Sequence, residues 1–239
     1  MEAIILAGGL GTRLRSMVPD LPKPLAPIGG KPFLDYLLNY WQGQGVKRFV
    51  LSVGYKQEMI RDHFGSKYKN AKVDYVVEQK PLGTGGGLLL SMKSLKLNKP
   101  FLVLNGDTFF NVNLSDLLDH HSTCKADITL SLVKISNNRR YSCVILDKDE
   151  RIIRSLEKRS NISGSKWANG GVYVLKPNLL KEYQDHYPKK YSLEDELLPD
   201  LLRKNKRIAG FISQENFIDI GLPEDYRQAE GILSQYDEN

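Results

Sequence analysis

Four apolar runs of strand length, Ala3 to Leu6, Phe49 to Val53, Val73 to Val77 and Phe101 to Leu104, recur along the first half of the chain. Helix-length stretches separate them. Phe33 to Tyr40 gathers Phe33, Leu34, Leu37 and Leu38 on one helical face, Met59 to Phe64 sits in a second helix, and Gly83 to Met92 opens on glycines and closes as a helix. This alternation constrains the fold more than any other feature. It predicts parallel strands buried on both faces, with right-handed crossovers and ligands at the carboxyl ends of the strands. From Ile128 the rhythm changes. Ile128 to Val133, Ser142 to Asp147, Ile152 to Leu156 and Val172 to Leu175 are strand-like with short breaks, and Leu179 to Tyr183 and Leu193 to Arg203 read as helical. Two more strands, Ile208 to Ile212 and Phe217 to Ile220, precede a closing helix from Pro223 to Leu233. Pro223 suits a first helical position, and Glu224 and Asp225 suit its positive end. The expectation is one α/β domain over residues 1–234: a Rossmann-like mixed, mainly parallel sheet with helices on both faces. Residues 235–239 read as a frayed tail.

The balance of residues narrows the function classes. The 239 residues carry a net charge of +6. The basic residues are spread out; the densest group, Arg203-Lys204-Asn205-Lys206-Arg207, falls between a helix and a strand with no nucleic-acid motif beside it. Small phosphate-bearing partners fit better than nucleic acid. No apolar run is long enough to span a membrane, and the amino terminus lacks the basic region of a signal peptide. Cys124 and Cys143 have no metal or redox spacing and read as buried thiols in a reducing cytoplasm. The four histidines show no ligand spacing, and none is assigned a catalytic role. The oligomeric state stays open, a homo-oligomer included.

The first strand runs into Ala7-Gly8-Gly9-Leu10-Gly11-Thr12-Arg13-Leu14. Glycines here let backbone amides approach an anion closely, and Arg13 adds a cation. The stretch is not a P-loop, and the last glycine of a dinucleotide fingerprint is replaced by Leu14. A tight turn with a surface arginine is the plainer alternative. Further on, Lys23 stands between Pro22 and Pro24, which restrict its backbone.

With these residues in place, "AIILAGGLGTRL" and "LPKPLAPIGGKPFLDYLL" resemble the sugar-1-phosphate nucleotidyltransferases. The resemblance continues through "EQKPLGTGGGL", "FLVLNGDTFF", "LEKRS", "NGGVYVL" and "FIDIGLPEDY", in the family's order. The branch most resembled is that of the D-glycero-α-D-manno-heptose-1-phosphate guanylyltransferases. The resemblance implies transfer of a nucleotidyl group, here from GTP, to a sugar 1-phosphate, with Mg²⁺ as cofactor; guanylyl transfer to mannose 1-phosphate, uridylyl transfer to an amino-sugar 1-phosphate and a non-catalytic nucleotide-sugar sensor are the alternatives. It divides the chain into a nucleotide-binding half, about 1–125, and a sugar-binding half, about 126–234.

The resemblance also assigns roles. Leu6, Ala7, Gly8, Gly9, Gly11, Thr12 and Arg13 would hold the nucleotide, with Gln79, Gly83 and Thr84 at its base. Arg13 and Lys23 would meet the reacting phosphates. Asp107, at the end of a buried strand, would ligate Mg²⁺ together with Asp219. Taken alone, Asp107 reads equally as a loop-capping aspartate, and Asp219 as a carboxylate leading into the helix at Pro223. Glu157 and Lys158 would take the sugar hydroxyls and sugar phosphate; the plainer alternative is a surface ion pair at a strand end, worth little energetically. Asn169 and Gly170 would line the sugar pocket.

Overall fold

The computed structural model describes residues 1–96, 98–135, 143–157, 167–186 and 189–236. Its first half runs β1 (Glu2–Ala7), β2 (Pro27–Ile28), β3 (Lys31–Pro32), α1 (Phe33–Gly43), β4 (Arg48–Val53), α2 (Gln57–Phe64), β5 (Lys67–Tyr68), β6 (Ala71–Val77), α3 (Gly83–Met92), β7 (Phe101–Asn105), β8 (Thr108–Phe110) and α4 (Leu114–Thr123). The second half runs β9 (Ile128–Lys134), β10 (Cys143–Leu146), β11 (Ile153–Glu157), β12 (Trp167–Leu175), α5 (Leu198–Arg203), β13 (Ile208–Ser213), β14 (Phe217–Asp219) and α6 (Pro223–Leu233).

The main sheet follows the order β11-β10-β12-β7-β1-β4-β6-β5, with β9 joined to β12 and β13 to β9. β7, β1, β4 and β6 are mutually parallel. β12 then pairs antiparallel with β7, β9 and β10. The sheet is therefore mixed, with a parallel centre. One sheet joins the two halves of the chain.

Alternation of side chains explains why both faces are covered. In β1, Ala3, Ile5 and Ala7 enter one core cluster, while Ile4 enters another. β4 divides likewise, with Phe49, Leu51 and Val53 opposite Val50, and β7 with Leu102 and Leu104 opposite Phe101 and Val103. Strands apolar on both faces need helices on both. Phe33, Leu34, Leu37, Leu38 and Trp41 of α1, with Leu117 of α4 and Leu233 of α6, cover the first face. Leu88, Leu89 and Met92 of α3 and Leu198 and Leu201 of α5 cover the second.

At the carboxyl end of the chain the structure departs from expectation. Ser234–Tyr236 continue α6 as a 3₁₀ turn, and the Tyr236 ring packs on Phe109 at 4.8 Å and Tyr40 at 6.0 Å. This aromatic contact orders residues expected to fray; 237–239 lie outside the described residues. Both cysteines are free and buried.

Candidate active site

The carboxyl ends of β1, β6 and β7 open onto a cavity of about 290 Å³. Its wall on the β1 side is almost all backbone. Leu6, Ala7, Gly8 and Gly9 line it, and Gly106 closes against β1 by donating its N–H to the Leu6 carbonyl at 3.0 Å. A Cβ on Gly106 would lie 2.7 Å from that carbonyl, so only glycine permits this approach.

Gly11 has φ +61°, and a Cβ there would meet the Lys23 Cβ at 3.2 Å. The glycine loop thus turns sharply to let Lys23 pass beneath it. Pro22 starts a short 3₁₀ turn over Lys23–Leu25, closed by Leu25 N–H to the Pro22 carbonyl at 2.8 Å. From that turn the Lys23 ammonium reaches Asp107 Oδ2 at 2.6 Å, with its side chain only 10% exposed.

Asp219 comes to the same point from far along the chain. β14 pairs antiparallel with β8, which places Asp219 opposite Thr108, and Ile220 N–H donates to the Asp107 carbonyl at 3.0 Å. The Asp219 Oδ1 accepts from Gly221 N–H at 2.6 Å. Burial, and then the neighbouring Asp107 carboxylate, raise the Asp219 pKa; Lys23 and Arg13 oppose the rise. Two carboxylates and two cations therefore share one electrostatic field, although Arg13 itself is exposed.

This donor set suits a hard cation. Among the described residues no group of three or more His, Cys, Asp or Glu side chains is placed to hold a metal. Asp107 and Asp219 offer carboxylate oxygens alone. That matches Mg²⁺, which takes one or two carboxylates and draws its other ligands from phosphate oxygens and water.

On the opposite wall, Glu78 follows the end of β6. Its Oε1 accepts from Ser52 Oγ at 2.9 Å and its Oε2 from Leu82 N–H at 3.0 Å. The carboxylate packs on Gly8 and Gly87, where any Cβ would collide with it. Gln79, the residue expected at the base, is exposed and does not line the cavity, whereas Glu78 does. Gly83, Thr84, Pro81 and Lys190 complete this side. Gly83 has φ +73°, and a Cβ there would lie 2.7 Å from the Tyr191 carbonyl. Gly86 N–H also donates to that carbonyl, at 3.0 Å. The glycines of "GTGG" thus make room for the segment that brings Lys190 to the cavity.

The sequence reading missed Glu78, Asn105 and Lys190. Glu78 and Asn105 stand at the carboxyl ends of parallel strands, where ligands are expected, so a signal existed. Lys190 carries none, because only packing brings it to the cavity.

On the side expected to take the sugar, a bulge between Asn169 and Tyr173 shifts the β12–β9 register. Gly171, with φ +76°, lies against Asn105 and Thr108. Asn169 and Gly170, expected in the sugar pocket, do not line the cavity: Gly170 is buried against Phe110 and Ser131, and Asn169 reaches Tyr173. Glu157 ends β11, opposite Cys143, which in turn opposes Ala168 of β12. Lys158 lies outside the described residues. Thr12, like Arg13, is exposed and outside the cavity lining.

A family profile for nucleotidyl transferases matches residues 2–235. The chain belongs to the nucleotidyl transferase family. This nucleotidyl transferase is 42% identical over 236 residues to a D-glycero-α-D-manno-heptose 1-phosphate guanylyltransferase of Aneurinibacillus thermoaerophilus, covering 99% of this chain and 100% of that one. It is 35% identical to a mannose-1-phosphate guanylyltransferase of Mycobacterium tuberculosis, covering 95% of this chain and 62% of that one. Among solved structures it superposes on HddC of Yersinia pseudotuberculosis complexed with GMP-PN, with a TM-score of 0.81 and 36% identity, covering 96% of this chain and 98% of that one. The mixed sheet is thus the fold of these nucleotide-diphospho-sugar transferases. No helix among the described residues is long and apolar enough to cross a membrane.

Proposed function

We propose that this nucleotidyl transferase moves the guanylyl group of GTP to D-glycero-α-D-manno-heptose 1-phosphate, releasing pyrophosphate, in the cytoplasm. The observation that carries the reading is a single cavity in which Lys23 and Asp107 meet a glycine-built wall, with Asp219 held beside them. A phosphate oxygen of the sugar phosphate forms a bond to the α-phosphorus. The bond from that phosphorus to the bridging oxygen breaks, and pyrophosphate leaves with the electron pair. Little covalent work falls to the protein, so positioning and charge decide the rate.

The glycine wall holds the nucleotide by its backbone. Lys23 presents positive charge where the α-phosphate reacts, Arg13 adds to the same field from outside the cavity, and Lys190 lines the cavity on the Gly83 side. Asp107 and Asp219 would hold Mg²⁺, which when bound offsets charge on the nucleotide phosphates. Asp219 is the ligand whose buried charge most needs such a partner.

Glu78 supports guanine as the base. Guanine presents its ring N1–H and exocyclic amino group side by side, two donors that a carboxylate accepts together. Adenine, cytosine and uracil each set an acceptor beside the donor, which a carboxylate repels. The similarity to guanylyltransferases supports the same reading for both base and sugar.

Pyrophosphate release with GTP, UTP, dTTP, CTP and ATP, each against heptose 1-phosphate and mannose 1-phosphate, tests this directly. GTP with the heptose phosphate should turn over fastest. Faster turnover with another nucleotide would overturn the base assignment, and faster turnover with mannose 1-phosphate the sugar assignment. Silence with every pair would overturn the reaction.

A further inference from the structure

Apart from the phosphate site, a chain of polar contacts runs from the nucleotide wall to β12. Thr84, in the first turn of α3, donates its hydroxyl to Glu194 Oε2 at 2.7 Å and accepts from Leu193 N–H at 2.9 Å. The Tyr173 hydroxyl donates to Glu194 Oε1 at 3.0 Å. Asn169 Nδ2 donates to the Tyr173 oxygen at 2.6 Å, and Asn169 Oδ1 accepts from Gly171 N–H at 3.1 Å. The Asn105 side chain, on the cavity wall, bonds the same phenol.

The backbone around Glu194 is built to hold it. Leu193–Leu197 form a single π-helical turn ahead of α5, a feature found often at functional sites. Ser192 caps that turn, accepting from Asp195 N–H at 3.0 Å while its own N–H donates to Glu196 Oε2 at 2.7 Å. Tyr191 N–H donates to the Leu82 carbonyl at 2.8 Å, fastening the segment to the loop that lines the cavity.

Hydrogen-bond polarity gives the chain a direction. An ionised carboxylate only accepts. Tyr173 therefore spends its one proton on Glu194. Full burial and the Glu194 carboxylate hold this phenol well above its usual pKa, so it stays protonated. Its lone pairs are left to accept, and Asn169 turns its NH₂ toward it, the orientation that the Gly171 N–H on Asn169 Oδ1 also favours. Asn169 itself is only partly buried, so the second N–H of that amide is available to a ligand.

We infer that Glu194 is a positioning residue: by fixing the direction of every bond in the Thr84–Glu194–Tyr173–Asn169 chain, it sets which edge of the Asn169 amide meets a sugar hydroxyl, and it does so from the segment fastened to the nucleotide loop. The inference rests on the reading of Asn169 as part of the sugar subsite. Glu194 does not line the cavity. It acts through Tyr173.

Glu194→Gln tests this with almost no change of shape. A glutamine offers a donor where Glu194 accepts, so either Tyr173 or Thr84 must reverse its hydroxyl. The Michaelis constants for both substrates and thermal unfolding would be measured for Glu194→Gln, Tyr173→Phe, Asn169→Ala and the Glu194→Gln/Asn169→Ala double variant. KM for the sugar phosphate should rise about tenfold in Glu194→Gln and Tyr173→Phe, while KM for GTP stays within about twofold, the scale of one misdirected polar contact. The double variant should be no worse than Asn169→Ala alone, because both changes remove the same contact.

An unchanged sugar-phosphate KM in Glu194→Gln, with Asn169→Ala impaired, would overturn the inference while leaving the sugar subsite standing. An unfolding temperature that drops while both constants hold would also overturn it, by marking Glu194 as a structural strut. An Asn169→Ala variant with normal sugar binding would overturn the subsite reading itself. If Glu194→Gln fails to fold, Tyr173→Phe decides the matter alone.

Discussion

The two sides of the cavity are built by different means. The nucleotide side is rich in glycine: Leu6 to Gly9 at the end of β1 and Gly106 after β7, where neither Gly8 nor Gly106 has room for a Cβ. The β12 side is side chain: Asn105 on the cavity wall, and behind it Tyr173 and Asn169 tied to Glu194, beside a strand bulge. Backbone amides hold any nucleoside triphosphate by its phosphates and discriminate little. Directed side-chain bonds discriminate strongly, because a wrong partner leaves a buried polar group unpaired. Common chemistry on one side and selection on the other is what a family sharing one reaction over many sugars requires.

The sharpest break of this contrast lies at the junction of the two sides. Lys23→Ala should lower kcat by about a hundredfold or more and raise KM for GTP much less, because its charge acts on the transferring phosphorus. Steady-state kinetics in GTP check this; weakened binding with normal kcat would reassign Lys23 to ground-state holding. Asp107→Asn and Asp219→Asn should each cost on the order of a hundredfold in turnover. Their double variant should be scarcely worse than the poorer single one, since both carboxylates serve one cation. Multiplicative losses would separate their roles. Lys23 itself bonds Asp107 at 2.6 Å, so in the metal-free protein Mn²⁺ should bind more tightly to Lys23→Met, as titrated by electron paramagnetic resonance.

A smaller effect sharpens the contrast within the nucleotide side, where the Glu78 carboxylate stands against Gly8 and Gly87. Glu78→Gln should narrow the preference for GTP over UTP by about tenfold, the worth of one charge-assisted contact. Gly8→Ala should act in the same direction, because its methyl group would displace the Glu78 carboxylate rather than any backbone. Competition between the two nucleotides in one reaction measures both variants. An unaltered ratio in both would remove Glu78 from base selection.

How much was legible in the sequence follows the same divide. The parallel strands were readable because burial on both faces leaves continuous apolar runs such as Ala3-Ile4-Ile5-Leu6. The glycine loop and Lys23 were readable because glycine and proline carry local backbone meaning. Position 219 was joined to 107 only by resemblance; the physical link is the short β8–β14 ribbon, of which Phe217 to Ile220 reads as a strand while β8, three residues long, has too little periodicity to reveal its partner. Glu194 left no trace. It stands in a helical acidic stretch, Leu193-Glu194-Asp195-Glu196, where every carboxylate looks solvated. Only packing selects Glu194 as the one that meets Thr84 and Tyr173.

The mildest expected difference is in how acid acts on the two sides. Behind β12, His121 of α4 is buried, with its Nδ1 at 2.8 Å from Thr129 Oγ1 of β9. Burial, and then Lys176, depress its pKa to about 4, with Asp127 opposing and His120 adding slightly. An unfolded histidine titrates near 6.5. Between those values the unfolded chain binds a proton that the folded chain refuses. Stability from the neutral imidazole is therefore full above pH about 6.5 and lost as pH falls toward 4, by at most about 1.4 kcal/mol per pH unit for one proton. Urea unfolding at several pH values would measure the slope, and His121→Gln should flatten it. Other groups titrate in the same window, so the difference between the two proteins isolates His121. Hydrogen exchange under mild acid should then quicken in β9 and α4 before β1 and β4, whose buried side chains are Ala3, Ile4, Ile5, Phe49, Val50, Leu51, Ser52 and their apolar neighbours. Equal acid slopes for the two proteins, or exchange that quickens first in the parallel strands, would show that the β12 side is no more pH-sensitive than the backbone wall.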